Sequence, residues 1–436
     1  MAEAGKHIKK TIAILFAAIV IGYLLLVLVY LIPTDRMYPN VISTAKMMET
    51  SDTSQKDPYS GKLIDNYADS LTVLMASYPG QENAFEKAAC SYYNFIDGEY
   101  PRESLVGITL HNEDYIRMAY GRYWHGSMIF IKPLLLFFDL SAMRLVNTGV
   151  LFILIIVLML ILQRTLAEAT LPFVLMMLLF APTTVGQCFE YTFAVQVMLI
   201  TCIAYLWNPK GVFSGNRICY LFLITGIQLA YFDFLTAPTI TLSVPLVFVC
   251  MKEKPSWKTL LKYTVFWLAG YAGMWAGKWI IALVSHGTSF SSLTGHFALW
   301  TSERPVNEQQ ITRIGTLNKN FEELFDDVYV DIAMLCYTAV IIFHTLRSRK
   351  KIMYERAYRN MMLLFPAAIG IAWILIMARH SNVHTFFTYR TLAPSVFCVL
   401  CMLDLGEVAS VKKKSTVNWE DYHECYRTDN PHALSE

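Results

Sequence analysis

Two aspartates one helical turn apart are the first residues here whose types and spacing could do chemistry. In "LIDNYADSLTVLMASYPG", Leu63 to Gly80, Asp65 and Asp69 stand at i and i+4, which puts both carboxylates on one face if the segment is helical. Such a pair binds a divalent cation through oxygen ligands, or one member takes a proton from a hydroxyl as general base. The same letters also read as a capped helix start with solvated charge, because "DNYADS" precedes an apolar run. A second concentration lies in "ARHSNVHTFFTYRTLAP", Ala378 to Pro394. Arg379 and Arg390 have the planar fork that pairs bidentately with phosphate oxygens. His380 and His384, again i and i+4, can share a face, bind a departing phosphate or ligate a metal. Tyr389, Phe386 and Phe387 offer a platform for a sugar or an aromatic belt at a membrane surface.

Other candidates are scattered through apolar surroundings. "YGRYWHGSMIFIKPLLLFFDLSAMR", Tyr120 to Arg144, is aromatic at its front and interrupted by Lys132, Pro133 and Asp139. That pattern fits a segment lying in the membrane interface, with Tyr123 and Trp124 as anchors and Arg122 and His125 at headgroup depth. Lys278 lies inside an apolar run, a costly place for an ammonium unless it snorkels to the headgroups or pairs with a phosphate. Glu190, in "GQCFEYTF", caps a helix start or faces a site. Asp233, in "AYFDFLTAP", belongs to a tight turn or to catalysis. Trp300, Glu303 and Arg304 in "HFALWTSERP" are placed to contact an acceptor.

The elements that must hold these residues are membrane spans. Hydrophobic residues make up 55% of the 436 and charged residues 16%, against roughly 45–50% and 25% in soluble domains. Apolar runs able to cross a hydrocarbon layer recur about ten times. They are Thr11–Ile32, Leu145–Leu162, Leu171–Ala181, Cys188–Trp207, Ile218–Phe232, Phe234–Met251, Tyr263–Ser285, Tyr329–Leu346, Met361–Ala378 and Thr391–Leu403. The first follows Lys6, Lys9 and Lys10 and is too long for a cleaved signal peptide, so it reads as a retained span. The chain divides accordingly into an N-terminal tip and first span (1–32), an outer loop with an interfacial segment (33–144), a helical bundle (145–404) and a tail (405–436).

Threading the spans in alternation tests their sidedness. Arg164, Lys210, Arg217, the lysines at 252, 254, 258 and 262, the basic run from Arg347 to Arg359 and Lys412 to Lys414 all fall on the side of the N-terminus. The positive-inside rule makes that side cytoplasmic, with both termini in the cytoplasm of a multi-pass cell-membrane protein. The long first loop, the Pro182–Gln187 turn, Asp233, the 286–328 loop and the 378–394 stretch then face outward. The nine cysteines lie mostly in spans and suggest no disulfide framework.

This layout resembles the membrane glycosyltransferases of the GT-C fold. The shared features are a cytoplasmic N-terminus, one span, a large outer loop with an acidic motif near its start, an interfacial segment, and short, proline-broken spans. The resemblance implies an all-α polytopic fold and transfer of a sugar from a polyprenyl-phosphate donor to an extracytoplasmic acceptor such as a cell-surface glycan. Asp69, in "YADS", matches the acidic residue of the first outer loop, with Asp65 beside it. No Asp-x-Asp or Glu-x-Asp pair stands there, so a divalent cation is left open and no other cofactor is implied. Such a donor needs cations at headgroup depth and a carboxylate that reaches a hydroxyl, and Arg390, His380, His384, Tyr389, Lys278, Arg122, His125, Asp233 and Glu190 are the candidates for binding it. No Walker loop or zinc-type cysteine motif is present, and nucleic acid is not an expected partner. The rival class is a transporter or flippase of a lipid-linked or small anionic substrate. It fits less well, because the spans carry almost no midplane charge and the polar residues gather on one face. A third class, an outer-face assembly scaffold, would need no convergence of Arg, His and Asp.

Overall fold

A computed structural model describes residues 2–52, 54–208, 211–348 and 354–403. Of the described residues, 74% are helical. Among the described residues, five helices are long and apolar enough to cross a membrane: His7–Tyr30, Leu140–Thr165, Phe189–Leu206, Tyr358–Ile376 and Thr385–Leu403. This is the make-up of an all-α membrane protein. The other apolar runs also carry helices: Thr170–Leu179, Ile218–Phe232, Ile240–Glu253, Trp257–Val284 and Val328–Ser348. Lys210, Arg349 to Lys351 and the 405–436 tail lie outside the described residues.

Local chemistry moves several helix boundaries from their expected positions. The second long helix begins at Leu140 rather than Leu145, because Asp139 caps it by accepting from the Ala142 N–H at 3.0 Å. The expected Phe234 start moves to Ile240. Asp233 instead accepts from the N–H groups of Leu235 and Thr236 and from the Thr236 hydroxyl, and Pro238 follows. That turn is thus held by its own side chains.

Helix ends alternate between two faces of the bundle. At one end the His7 Nδ1 lies 2.7 Å from the Tyr220 hydroxyl, Lys262 donates to Asn216 at 2.8 Å, and the Tyr205 hydroxyl donates to Glu253 at 2.9 Å. Arg217, Lys252, Lys258 and Lys262 therefore share that end with the start of the first helix. At the other end the Trp124 indole donates to the Met274 carbonyl, the Gly126 N–H to the Tyr231 carbonyl, and Thr184 to Asp57. The acidic and histidine candidates collect there. Between the ends, Ile218–Phe232 and Trp257–Val284 pack backbone to backbone. A Cβ on Gly226 or Gly270 would strike the carbonyl oxygen of Trp267 or Leu223. Small residues at such contacts let membrane helices approach closely.

Residues 33–144 form a packed unit rather than an open loop. They contain the helices Tyr38–Thr50, Asn66–Ala76, Ala84–Cys90 and Pro101–Val106 and an antiparallel ribbon of Tyr92–Phe95 with Ile116–Ala119. Met37, Val41, Ala45, Met48, Val73 and Leu105 form its core, packed with Leu26 and Tyr30 of the first helix. Tyr123 and Trp124 correct the expectation of interfacial anchors, for both are buried. The indole N–H finds its acceptor inside the bundle, so the ring has no reason to sit at headgroup depth. Cys90, Cys188, Cys202, Cys219, Cys250, Cys336 and Cys398 are free thiols.

Candidate functional site

Asp65 is the N-cap of Asn66–Ala76, its Oδ1 accepting from the Ala68 N–H at 3.1 Å. The segment before it is pinned at two points. Asp57, fully buried, accepts from Ser60, Thr183 and Thr184 at 2.7, 2.5 and 2.8 Å. Lys62 donates to Glu323 at 3.0 Å and lies over the Tyr389 ring. Between these anchors, the Asp65 N–H points at the Cys188 sulfur, 3.3 Å away. That brings Asp65 to the start of Phe189–Leu206, within electrostatic reach of Glu190 and His384.

Asp69 is one turn on, but its oxygens are already engaged. Oδ2 accepts from Arg144 Nε at 3.0 Å and from Arg144 Nη2 at 2.7 Å, while Oδ1 accepts from the Phe189 N–H at 3.0 Å. Asn66 takes a further Arg144 N–H at 2.9 Å. Asp69 and Arg144 are 1% and 7% exposed. Burial raises the Asp69 carboxyl to about 6, against the opposing pull of the Arg144 guanidinium. The i, i+4 pair thus diverges in environment: Asp69 bolts the outer unit to two bundle helices, and Asp65 faces the cluster. Arg144 was not a candidate from sequence. The signal was available, since an arginine in the first turn of an apolar helix must find a carboxylate or leave the bilayer.

Around Asp65 the structure collects Glu190 and Asp233, whose charges act on one another. Glu190 Oε2 is buried without a hydrogen-bond partner. One wall is built from Ala378–Val383 and Thr385–Thr388. His380 Nε2 lies 2.9 Å from the Leu235 carbonyl, tying this wall to the Asp233 turn. The His380 and His384 rings are 4.9 Å apart, and Trp300 stands 5.2 and 5.3 Å from them. His384 stacks on Phe387 at 5.0 Å, and Tyr191 closes the wall 5.8 Å from Phe387. Burial pushes His380 down to about 3 and His384 down to about 4, so both are neutral imidazoles at neutral pH.

A second group of side chains comes from the Tyr120–His125 segment, where the Tyr123 and His125 rings lie 5.8 and 5.1 Å from Phe234. The Arg122 guanidinium lies over the rings of Tyr120 and Tyr123 at 4.9 and 5.4 Å and donates to the Tyr120 hydroxyl at 3.1 Å. It is half-buried, and its Nε has no partner. His125 Nε2 lies 3.0 Å from the Tyr120 carbonyl, and burial lowers its pKa to about 3. Tyr123, Phe234 and Trp275 are in ring contact below. Tyr67, half exposed, lies within electrostatic reach of Arg122, Asp65 and Glu190. Tyr191, Tyr67 and Trp275 are the cluster members that sequence reasoning missed. Single aromatics in an aromatic-rich chain carry no spacing signal.

Three candidates stand apart from this cluster or beneath it. Lys278, fully buried, donates to the carbonyls of Ala88 and Ala89 at 3.1 and 2.8 Å. Its ammonium satisfies the C-terminus of Ala84–Cys90 rather than snorkelling. Arg390 is 1% exposed, donates to the carbonyls of Phe180 and Phe386 at 2.8 and 3.1 Å, and lies over the Tyr191 and Tyr389 rings. Its Nη2 has no partner, and Tyr389 is buried with it. Arg379 donates to the carbonyls of Arg304 and Pro305. Among the described residues, no group of three or more His, Cys, Asp or Glu side chains is arranged to hold a metal ion.

No family model, no curated protein and no solved structure matches this chain.

Proposed function

We propose that the chain is a membrane glycosyltransferase that moves a sugar from a polyprenyl-phosphate donor to a hydroxyl acceptor outside the cytoplasm. In this reading all ten helices of the bundle cross the cell membrane and the basic end faces the cytoplasm. The Asp65–Glu190 cluster then works at the outer surface. One observation carries the proposal. Glu190, buried and hydrogen-bonded to the carboxyl of Asp65 with its Oε2 left without a donor, lies inside a partly exposed rim of aromatic rings, neutral histidines and one arginine. Unpaired buried acceptors call for donors, and sugar hydroxyls supply them. Aromatic faces supply the stacking surface.

The roles divide by environment. Asp69 is occupied by Arg144, so the general base falls to Asp65 or Glu190, and Asp69 becomes a positioning residue. Arg122 holds the donor phosphate: it is the half-buried guanidinium of the rim, stacked on two tyrosines with an unpaired Nε. Arg390 lies deeper and clamps backbone carbonyls. The base takes the proton from the acceptor hydroxyl as the acceptor oxygen bonds the anomeric carbon, and the polyprenyl phosphate leaves with the electrons of the old bond. The test is reconstitution in vesicles with a set of polyprenyl-phosphate sugars. Labelled sugar transferred to an acceptor supports the reading. Movement of the intact lipid-linked sugar between leaflets without transfer assigns the chain to the transporters.

A further inference from the structure

We propose that the basic end of the bundle holds one anionic membrane phospholipid, in the groove between the first helix and Trp257–Val284. This site lies at the other end from the acidic cluster and does not depend on how that cluster is read. The two helices run side by side. They touch closely at Gly273 and Gly277, where a Cβ would meet Leu15 and Ile19. Toward their starts, a groove of about 580 Å³ opens between them. Ligand sites span roughly 300–1,000 Å³, so this is room for a real occupant.

The groove has two chemistries in the right order for a lipid. Its walls are apolar, with Ile8 and Ile12 on one helix and Val265 and Phe266 on the other. Ile8, Ile12 and Val265 are 60%, 60% and 52% exposed, so the walls open sideways, where acyl chains lie, rather than into the protein. Its mouth is polar and basic, formed by His7, Asn216 and Lys262. Lys262 is held there by its hydrogen bond to Asn216, and Lys10 adds a second cation 4.2 Å above the adjacent Tyr220 ring. None of the residues lining the groove is acidic. An acyl chain in the trough thus places its phosphate at Lys262 and His7. Basic pockets between membrane helices favour anionic headgroups in this way. A zwitterionic lipid brings its own cation against Lys262 and gains less.

The purified full-length chain in detergent is titrated with phosphatidylglycerol and, separately, with phosphatidylcholine bearing the same chains. Bound lipid is counted by native mass spectrometry. The expected result is one tightly held phosphatidylglycerol per chain and a weaker phosphatidylcholine. Lys262→Gln should lower phosphatidylglycerol affinity about fivefold, the worth of one basic residue near a membrane surface, and leave phosphatidylcholine unchanged. Ala269→Trp, which fills the trough, should remove retained lipid of both kinds. A Phe266→Trp reporter, quenched by brominated phosphatidylglycerol chains, reads occupancy without filling the trough. Equal retention of the two lipids, no loss in Lys262→Gln, or an unquenched reporter overturns the proposal.

Discussion

Replacing Asp69 by Asn should unfold the protein more readily, and the geometry sets the size of the effect. Wild-type Asp69 accepts two N–H bonds from Arg144 and one from Phe189. An asparagine can keep its oxygen toward Phe189, but its NH₂ then faces the donors of Arg144, donor against donor. Turned the other way, it leaves the Phe189 N–H without an acceptor. In either rotamer Arg144, 7% exposed, loses its counter-charge, and breaking a buried pair from one side costs about 3–5 kcal/mol. The double variant Asp69→Leu/Arg144→Met removes both charges and should recover much of that loss, since apolar replacement of a whole buried pair is often close to neutral. Chemical and thermal unfolding of the purified single and double variants measures the coupling. Wild-type stability in Asp69→Asn together with lost sugar transfer would refute this reasoning and make Asp69 the reacting carboxylate.

Lys278→Met leaves two helix-end carbonyls without their donor and should lower stability by about 1–3 kcal/mol, with donor-lipid affinity unchanged. Thermal unfolding beside a lipid-binding titration checks both halves. The three buried histidines should make stability fall as pH drops from about 6.5 toward 4, because the unfolded chain protonates them there while burial keeps His125, His380 and His384 neutral in the fold, and Asp69, raised to about 6, opposes part of that fall between about pH 6 and 4. Melting temperature against pH, with His380→Phe as a flatter comparison, measures that slope. Arg122→Lys keeps the charge but loses the fork, so KM for the donor should rise with kcat less affected, and Arg122→Ala should do worse; steady-state kinetics separates the two parameters.

What could be read from the sequence was what periodicity and charge encode. Apolar length gave the helices, and of the basic residues expected on one side, Arg217, Lys252, Lys258 and Lys262 share one end of the bundle. Cap chemistry was partly legible: "DNYADS" reads as a helix start, and Asp65 is its N-cap. What stayed hidden depends on tertiary partners. Asp65 and Asp69 look alike in sequence, and only the long-range approach of Arg144 separates them. Lys278 offered two readings, both of them facing lipid. The third, a helix end packed against it, is 190 residues away in the chain. Tyr123 and Trp124 looked interfacial because nothing local announces an acceptor at Met274.

The central claim is that Asp65 and Glu190, rather than Asp69, meet the acceptor hydroxyl. Its most direct test is single-turnover transfer from a polyprenyl-phosphate sugar by purified Asp65→Asn and Glu190→Gln, with donor binding measured on the same preparations. The account predicts that at least one of them binds donor as the wild type does and loses about 10²–10⁴-fold in transfer rate, the scale of a missing general base. Near wild-type transfer in both variants would contradict it.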